Sequence, residues 1–150
     1  MTFLLQMLEN RILWIGVASW FLAQLAKVVL TLIVEKRLDW SRMWGLGGMP
    51  SSHTAVVVSV AVATGIRMGF NSAMFAISAA LALITMTDAV GVRRQAGKQA
   101  AVLNRVVQEI VENGGDLPEE TLKELLGHTP LQVFVGALLG LAIAIIAARG

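Results

Sequence analysis

Apolar positions in this chain come in long unbroken blocks, not in alternating faces. Thr54–Ile66, Met68–Thr87 and Thr129–Ala148 carry no charged residue, and the last two are 20 residues each. About 20 apolar residues in a helix cross ~30 Å of hydrocarbon. A fourth block, Ile12–Val34, is apolar apart from Ser19, Gln24, Lys27 and Thr31. Helices of a soluble bundle need a polar face, and these blocks have none. The pattern predicts an all-α integral membrane bundle, a single domain, with transmembrane helices over about 12–34, 52–68, 72–90 and 129–148. Gly69-Phe70-Asn71-Ser72 makes a tight turn with Ser72 as helix cap. Thr129-Pro130 supplies a cap and then proline at the first helical position, where its missing N–H does no harm.

Between residues 91 and 113 the pattern changes. Val92, Ala96, Leu103, Val107 and Ile110 recur near helical spacing, with Arg94, Lys98 and Arg105 largely off that stripe. This predicts an amphipathic helix over about 92–113 lying on the membrane surface, stopped by Gly114-Gly115. Asp116-Leu117-Pro118-Glu119 reads as a capping box opening a second interfacial helix, about 117–126, with Gly127 as terminator.

Charge adds orientation. Arg11, Arg67 and Arg149 fall on one side of a four-span bundle; Lys36, Arg37, Arg42, Arg93, Arg94, Lys98, Arg105 and Lys123 fall on the other. That excess predicts that the second side faces the cytoplasm. Trp40 and Trp44 suit the interfacial belt. The first charge is Glu9 and no small-x-small site follows, so the N-terminal apolar run reads as a retained helix and not a signal peptide. The absence of cysteine excludes disulfides and thiolate chemistry. The expected partner is the lipid bilayer, with no nucleic acid; homo-oligomerisation is left open.

Candidate chemistry gathers at the helix starts. The chain has two histidines, and both stand where an apolar helix begins: Gly47-Gly48-Met49-Pro50-Ser51-Ser52-His53 and Leu126-Gly127-His128-Thr129-Pro130. The first N–H groups of a helix lack intrahelical partners and the dipole is positive there, so Ser51, Ser52 and the glycines form a ready phosphate cradle. An imidazole on the first turn moves protons near neutral pH. His128 is a candidate nucleophile if its other ring nitrogen is held. Gln132 either stands one turn above it to do so, or closes a capping box with Thr129. Arg93, Arg94 and, one turn on, Lys98 suit phosphate oxygens, or serve as ordinary flanking anchors. Asp88 at the end of a span calls for a partner. Lys27 either snorkels to the interface or points into a polar site. A haem or metal protein is disfavoured, because two histidines supply too few ligands.

These motifs resemble the type-2 phosphatidic acid phosphatase and vanadium haloperoxidase superfamily, and more closely its small, divergent bacterial branch. The superfamily's Pro-Ser-Gly-His motif reads Pro50-Ser51-Ser52-His53 here. Its last motif, His-x-x-x-Asp continuing Val-x-x-Gly, reads His128 to Gly136 with Gln132 in place of the acid. The arginine expected six positions before His128 is Leu122, so Arg93 or Arg94 would serve, with the amphipathic segment inserted between. The first motif, Lys-x6-Arg-Pro, has Lys27, Lys36 and Arg37 as candidates and no Arg-Pro. The resemblance implies a phosphohydrolase that needs neither metal nor cofactor. His128 would form a phosphohistidine and His53 would protonate the leaving oxygen. Arg93, Arg94, Lys98 and the helix start at Ser51-Ser52 would steady the phosphoryl oxygens. Asp88 or Glu124 would substitute for the missing acid. The substrate implied is a lipid phosphate or pyrophosphate; the other expectation is a non-catalytic membrane protein that binds a phospholipid headgroup or a partner with the same pocket.

Overall fold

The computed structural model describes residues 2–45, 47–113 and 127–148, without the side chain of Arg93. In chain order the helices are α1 (Phe3–Glu9), α2 (Arg11–Glu35), α3 (Ser52–Met68), α4 (Ala73–Val90), α5 (Val92–Glu112) and α6 (Pro130–Ala148), with a 3₁₀ turn at Trp40–Met43. No strand occurs among the described residues, and the chain is an all-α membrane bundle. The interfacial helix expected over 117–126, with Leu122, Lys123 and Glu124, lies outside the described residues.

Local chemistry sets the helix ends. Asn10 caps α2 through its side-chain oxygen, which accepts from the Leu13 N–H at 3.1 Å. Ser72 caps α4 by accepting from the Phe75 N–H at 3.2 Å. Lys36 ends α2 in the left-handed region at φ 51°, and Gly69 ends α3 at φ 92°. The short helix α1 precedes the first apolar block and buries nothing.

The interior is built from small residues, while large apolar side chains point outward. Leu83, Ile84 and Ile77 on α4 are each about two-thirds exposed, and α4 buries only Ala82 and Ala89. A water-soluble surface would not carry such patches; lipid-facing helices do. Because lipid tails are as apolar as leucine, these helices associate by close packing of small residues instead. On α6, Gly136, Gly140, Ala144 and Ala148 form that stripe. A side chain at Gly136 would come to 2.5 Å of the Ser51 carbonyl oxygen, and one at Gly140 would overlap the Ala55 carbonyl. A Cβ at Gly16 on α2 would come to 2.9 Å of Val60.

Three helical runs are long and apolar enough to cross a membrane: α2, α4 continuing into α5, and α6. The remaining helix, α3, has 17 residues, a rise of roughly 26 Å. It falls short of the ~30 Å hydrocarbon core, but it is the central helix, packed against α2, α4 and α6. Its neighbours, more than lipid, set its length. α4 meets α6 only lightly, and α5 leaves the bundle, packing chiefly against the end of α4. The C-terminal end of α2 and the N-terminal ends of α3 and α6 thus come together, with the end of α4 alongside.

A two-histidine candidate active site

The site is assembled by the docking of two helix starts. Ser51, fully buried, caps α3: its Oγ accepts from the Thr54 N–H at 3.4 Å and from the Thr54 hydroxyl at 3.0 Å. Its own backbone N–H donates across the interface to the Gln132 carbonyl at 3.0 Å. Gly136, one turn further along α6, lets the two backbones close on each other. The first turns of α3 and α6 are therefore fixed relative to one another by backbone, and their histidines inherit that register. The rings of His53 and His128 lie 6.4 Å apart, centroid to centroid, inclined at 59°. His128 is buried and His53 is exposed.

Gln132 carries out both tasks that its sequence position suggested. Its Oε1 accepts from the Thr129 N–H at 3.0 Å, while the Thr129 hydroxyl accepts from the Gln132 N–H at 3.3 Å, a reciprocal cap. The same Oε1 lies 3.1 Å from His128 Nδ1. A backbone N–H can only donate, so the atom facing Thr129 is the oxygen. The atom facing Nδ1 is then also that oxygen, and Nδ1 must carry the proton. In the neutral ring Nε2 then holds the lone pair. One cap thus orients the ring and sets its tautomer, as a carboxylate would, but without a negative charge to favour imidazolium.

Positive charge reaches the site from α2. Lys27 is buried, and its ammonium donates to Ser52 Oγ at 3.4 Å, beside the positive end of α3. It lines a cavity of about 250 Å³ with Thr31, Glu35, Arg42, Gly48 and Met49. Sequence reasoning missed Arg42, which stands fifteen residues beyond Lys27 behind a loop. Its Nη2 lies 3.6 Å from Glu35 and its Nε 3.6 Å from Asp39. Asp39 caps the 3₁₀ turn, accepting from the Ser41 N–H at 3.0 Å and the Ser41 hydroxyl at 2.6 Å. The hydroxyl bond above all holds its carboxyl below the usual carboxylate range. Trp44, which follows this turn, rests against Trp20 at 6.2 Å between ring centroids.

The other predicted residues are less closely assembled. Arg94 is half-buried at the start of α5, and Lys98 is exposed on α5 beside Gln99, Val102 and Leu103. Asp88 is half-buried in the last turn of α4. Lys36 and Arg37 stand exposed at the end of α2, with Arg37 paired to Asp39 at 3.3 Å. Among the described residues no three His, Cys, Asp or Glu side chains cluster as a metal site would require.

A family model described as the Divergent PAP2 family matches residues 8–143. The chain belongs to the divergent PAP2 family. It is 41% identical over 154 residues to the Uncharacterized membrane protein YuiD of Bacillus subtilis (strain 168), an alignment covering 96% of this chain and 98% of that protein. No solved structure matches the chain. The resemblance carried by Pro50–His53 and His128–Gly136 therefore holds at family level, and the match spans α2 through most of α6.

Proposed function

We propose that this divergent PAP2 protein is a membrane phosphohydrolase that cleaves a lipid phosphate or pyrophosphate through a phosphohistidine. The observation that carries the reading is the Gln132 oxygen, which accepts from both the Thr129 N–H and His128 Nδ1 and so leaves the lone pair on Nε2. In the first step His128 Nε2 attacks phosphorus as the bond to the lipid oxygen breaks. Protonated His53 gives its proton to that departing oxygen. In the second step water attacks the phosphohistidine, neutral His53 takes a proton from it, and the P–N bond breaks to release phosphate. Lys27 and the start of α3 at Ser51-Ser52 stabilise charge on the phosphoryl oxygens, with Arg93, Arg94 and Lys98 as further cations and Asp88 in support. We assign the site to the cytoplasmic face, on the excess of basic residues in the loops at that end.

The neutral Gln132 favours a second reading, a headgroup-binding protein with a phosphatase-like pocket. The purified protein incubated with phosphatidic acid, phosphatidylglycerol phosphate or polyprenyl pyrophosphate separates the two. Phosphate release abolished by both His128→Ala and His53→Ala is the expected result. Orthovanadate binding with no release from any of the three would favour the binding protein. A tag at residue 115 that reports outside would reverse the orientation.

A further inference from the structure

Helix α5 carries a second periodicity, finer than its overall amphipathic character. Val92, Ala96, Gln99, Leu103, Val106 and Ile110 are spaced alternately by four and three residues, the seam of a coiled coil. All six are exposed: Val92 is 71% exposed, and Leu103, Val106 and Ile110 are each about half exposed. The chain covers a different flank of this helix, where Gly97 is buried and Ala100, Ala101, Asn104 and Val107 are half-buried. The seam is apolar surface turned away from its own chain, and such a surface marks an interaction site.

Charge along α5 selects what fits the seam. Arg93, Arg94, Lys98 and Arg105 occupy its first two-thirds with no acid among them, and Glu109 and Glu112 occupy its last turns with no base. An anionic membrane surface suits the basic part and repels the acidic end. A second α5 running antiparallel suits both, because each acidic end meets a basic one; a parallel pair sets like charges together. We propose that α5 is the interaction surface for a second copy of this chain, the two helices packing antiparallel along the 92–110 seam. The register that covers the whole seam sets Val92 against the partner subunit's Ile110, Ala96 against the partner subunit's Val106 and Gln99 against the partner subunit's Leu103. It also carries Glu109 and Glu112 to the end of the other helix that bears the partner's Arg94 and the partner's Lys98. A twofold axis along the membrane normal keeps both copies in one orientation in the bilayer, and helices lying across such an axis run antiparallel. The 21 residues of α5 make three heptads, and confinement to one bilayer raises the effective concentration of each copy for the other. Pairing also fixes Arg94 and Lys98, since within its own chain α5 packs chiefly against the end of α4. The pairing does not depend on phosphate chemistry.

The chain has no cysteine, so a thiol placed in the seam reports on pairing alone. Full-length Val92→Cys and Ile110→Cys proteins, differently tagged, are co-expressed and oxidised with copper phenanthroline in the membrane of the expressing cell. The expected result is a disulfide-linked dimer of the two variants, and no dimer when Ile110→Cys is expressed alone. In the antiparallel register the two copies of position 110 stand about 27 Å apart along the seam, at 1.5 Å per residue. A disulfide reaches across only ~7 Å between Cα atoms. Self-linking of Ile110→Cys without the mixed product means a parallel pair and overturns the antiparallel seam. Mixed and self-linked products in equal yield, matched by Gln108→Cys on the far side of the helix, mean random collision and overturn it too. Light scattering in mild detergent is the second measurement. Wild-type protein is expected at about twice the 16.1 kDa chain mass, and the Leu103→Glu, Val106→Glu double variant at one chain mass. A double variant that keeps the doubled mass overturns the seam. Wild-type protein at one chain mass, with no mixed crosslink in the membrane, overturns the proposal and leaves the stripe to lipid. Where detergent alone separates the copies, the crosslink decides.

Discussion

Replacing Gln132 with leucine removes a single oxygen that serves two donors. The cap on the Thr129 N–H and the contact to His128 Nδ1, 3.0 and 3.1 Å, are both lost. A lost helix cap costs about 1 kcal/mol. His128 is only 7% exposed, so little water replaces the missing acceptor, and an unmet buried donor costs a further ~1–3 kcal/mol. The imidazole relieves part of that cost by turning or by moving its proton to Nε2, and either change removes the lone pair from the line of attack. If ~2–3 kcal/mol of preference for the reactive tautomer disappears, phosphate release falls roughly 30- to 160-fold at 1.36 kcal/mol per tenfold. The assay is initial-rate phosphate release at saturating lipid phosphate, with thermal unfolding in detergent measured alongside. Gln132→Glu keeps an oxygen in both positions and adds a negative charge. A nearby carboxylate favours imidazolium and raises the His128 pKa, so the limb of the pH–rate profile that reports neutral His128 moves to higher pH. A folded Gln132→Leu protein working at the wild-type rate would refute the orienting role.

Other perturbations separate assembly from chemistry. Gly136→Leu drives a side chain into the Ser51 backbone; thermal unfolding should show a loss of ~1–3 kcal/mol, the usual cost of overpacking, with orthovanadate binding lost in parallel. Lys27→Met removes a buried ammonium that donates to Ser52 Oγ. Orthovanadate affinity should fall about tenfold, ~1.4 kcal/mol, while thermal stability holds or rises because a buried charge is gone. The loop at Asp39 has an acid limit. Its folded pKa is depressed, chiefly by the Ser41 hydroxyl, so its contribution is complete above the ordinary value of about 3.9 and is lost as pH falls through the lower folded value. Trp44 fluorescence should stay constant from neutral pH down to about 5 and change only below about 4. Asp39→Asn should give an altered Trp44 signal already at neutral pH.

The all-α membrane class was legible because lipid exposure leaves a plain mark: blocks such as Thr129–Ala148 have no polar face to hide. The family was legible for a different reason, since Pro50–His53 and His128–Gly136 are each contiguous. Contacts between distant segments were not. Gln132 had two competing interpretations in sequence, cap or ring-holder, and the geometry joins them because one oxygen faces two donors. Lys27 was open between snorkelling and a polar site; its bond to Ser52, 25 residues away, depends on how α2 crosses α3 at Gly16 and Val60. Arg42 gave no signal, because the loop that returns it to the α2 end has no periodicity to read. The modest length of α3 was visible, but its central position, which explains that length, was not.

The most direct test of the account is to trap the covalent intermediate. The purified protein is mixed with a ³²P-labelled lipid phosphate, quenched in alkali during turnover, and the labelled peptide is sequenced. The account predicts alkali-stable, acid-labile phosphate on Nε2 of His128, absent from His128→Ala. Turnover with the label on another residue, or sustained turnover in His128→Ala, would contradict it.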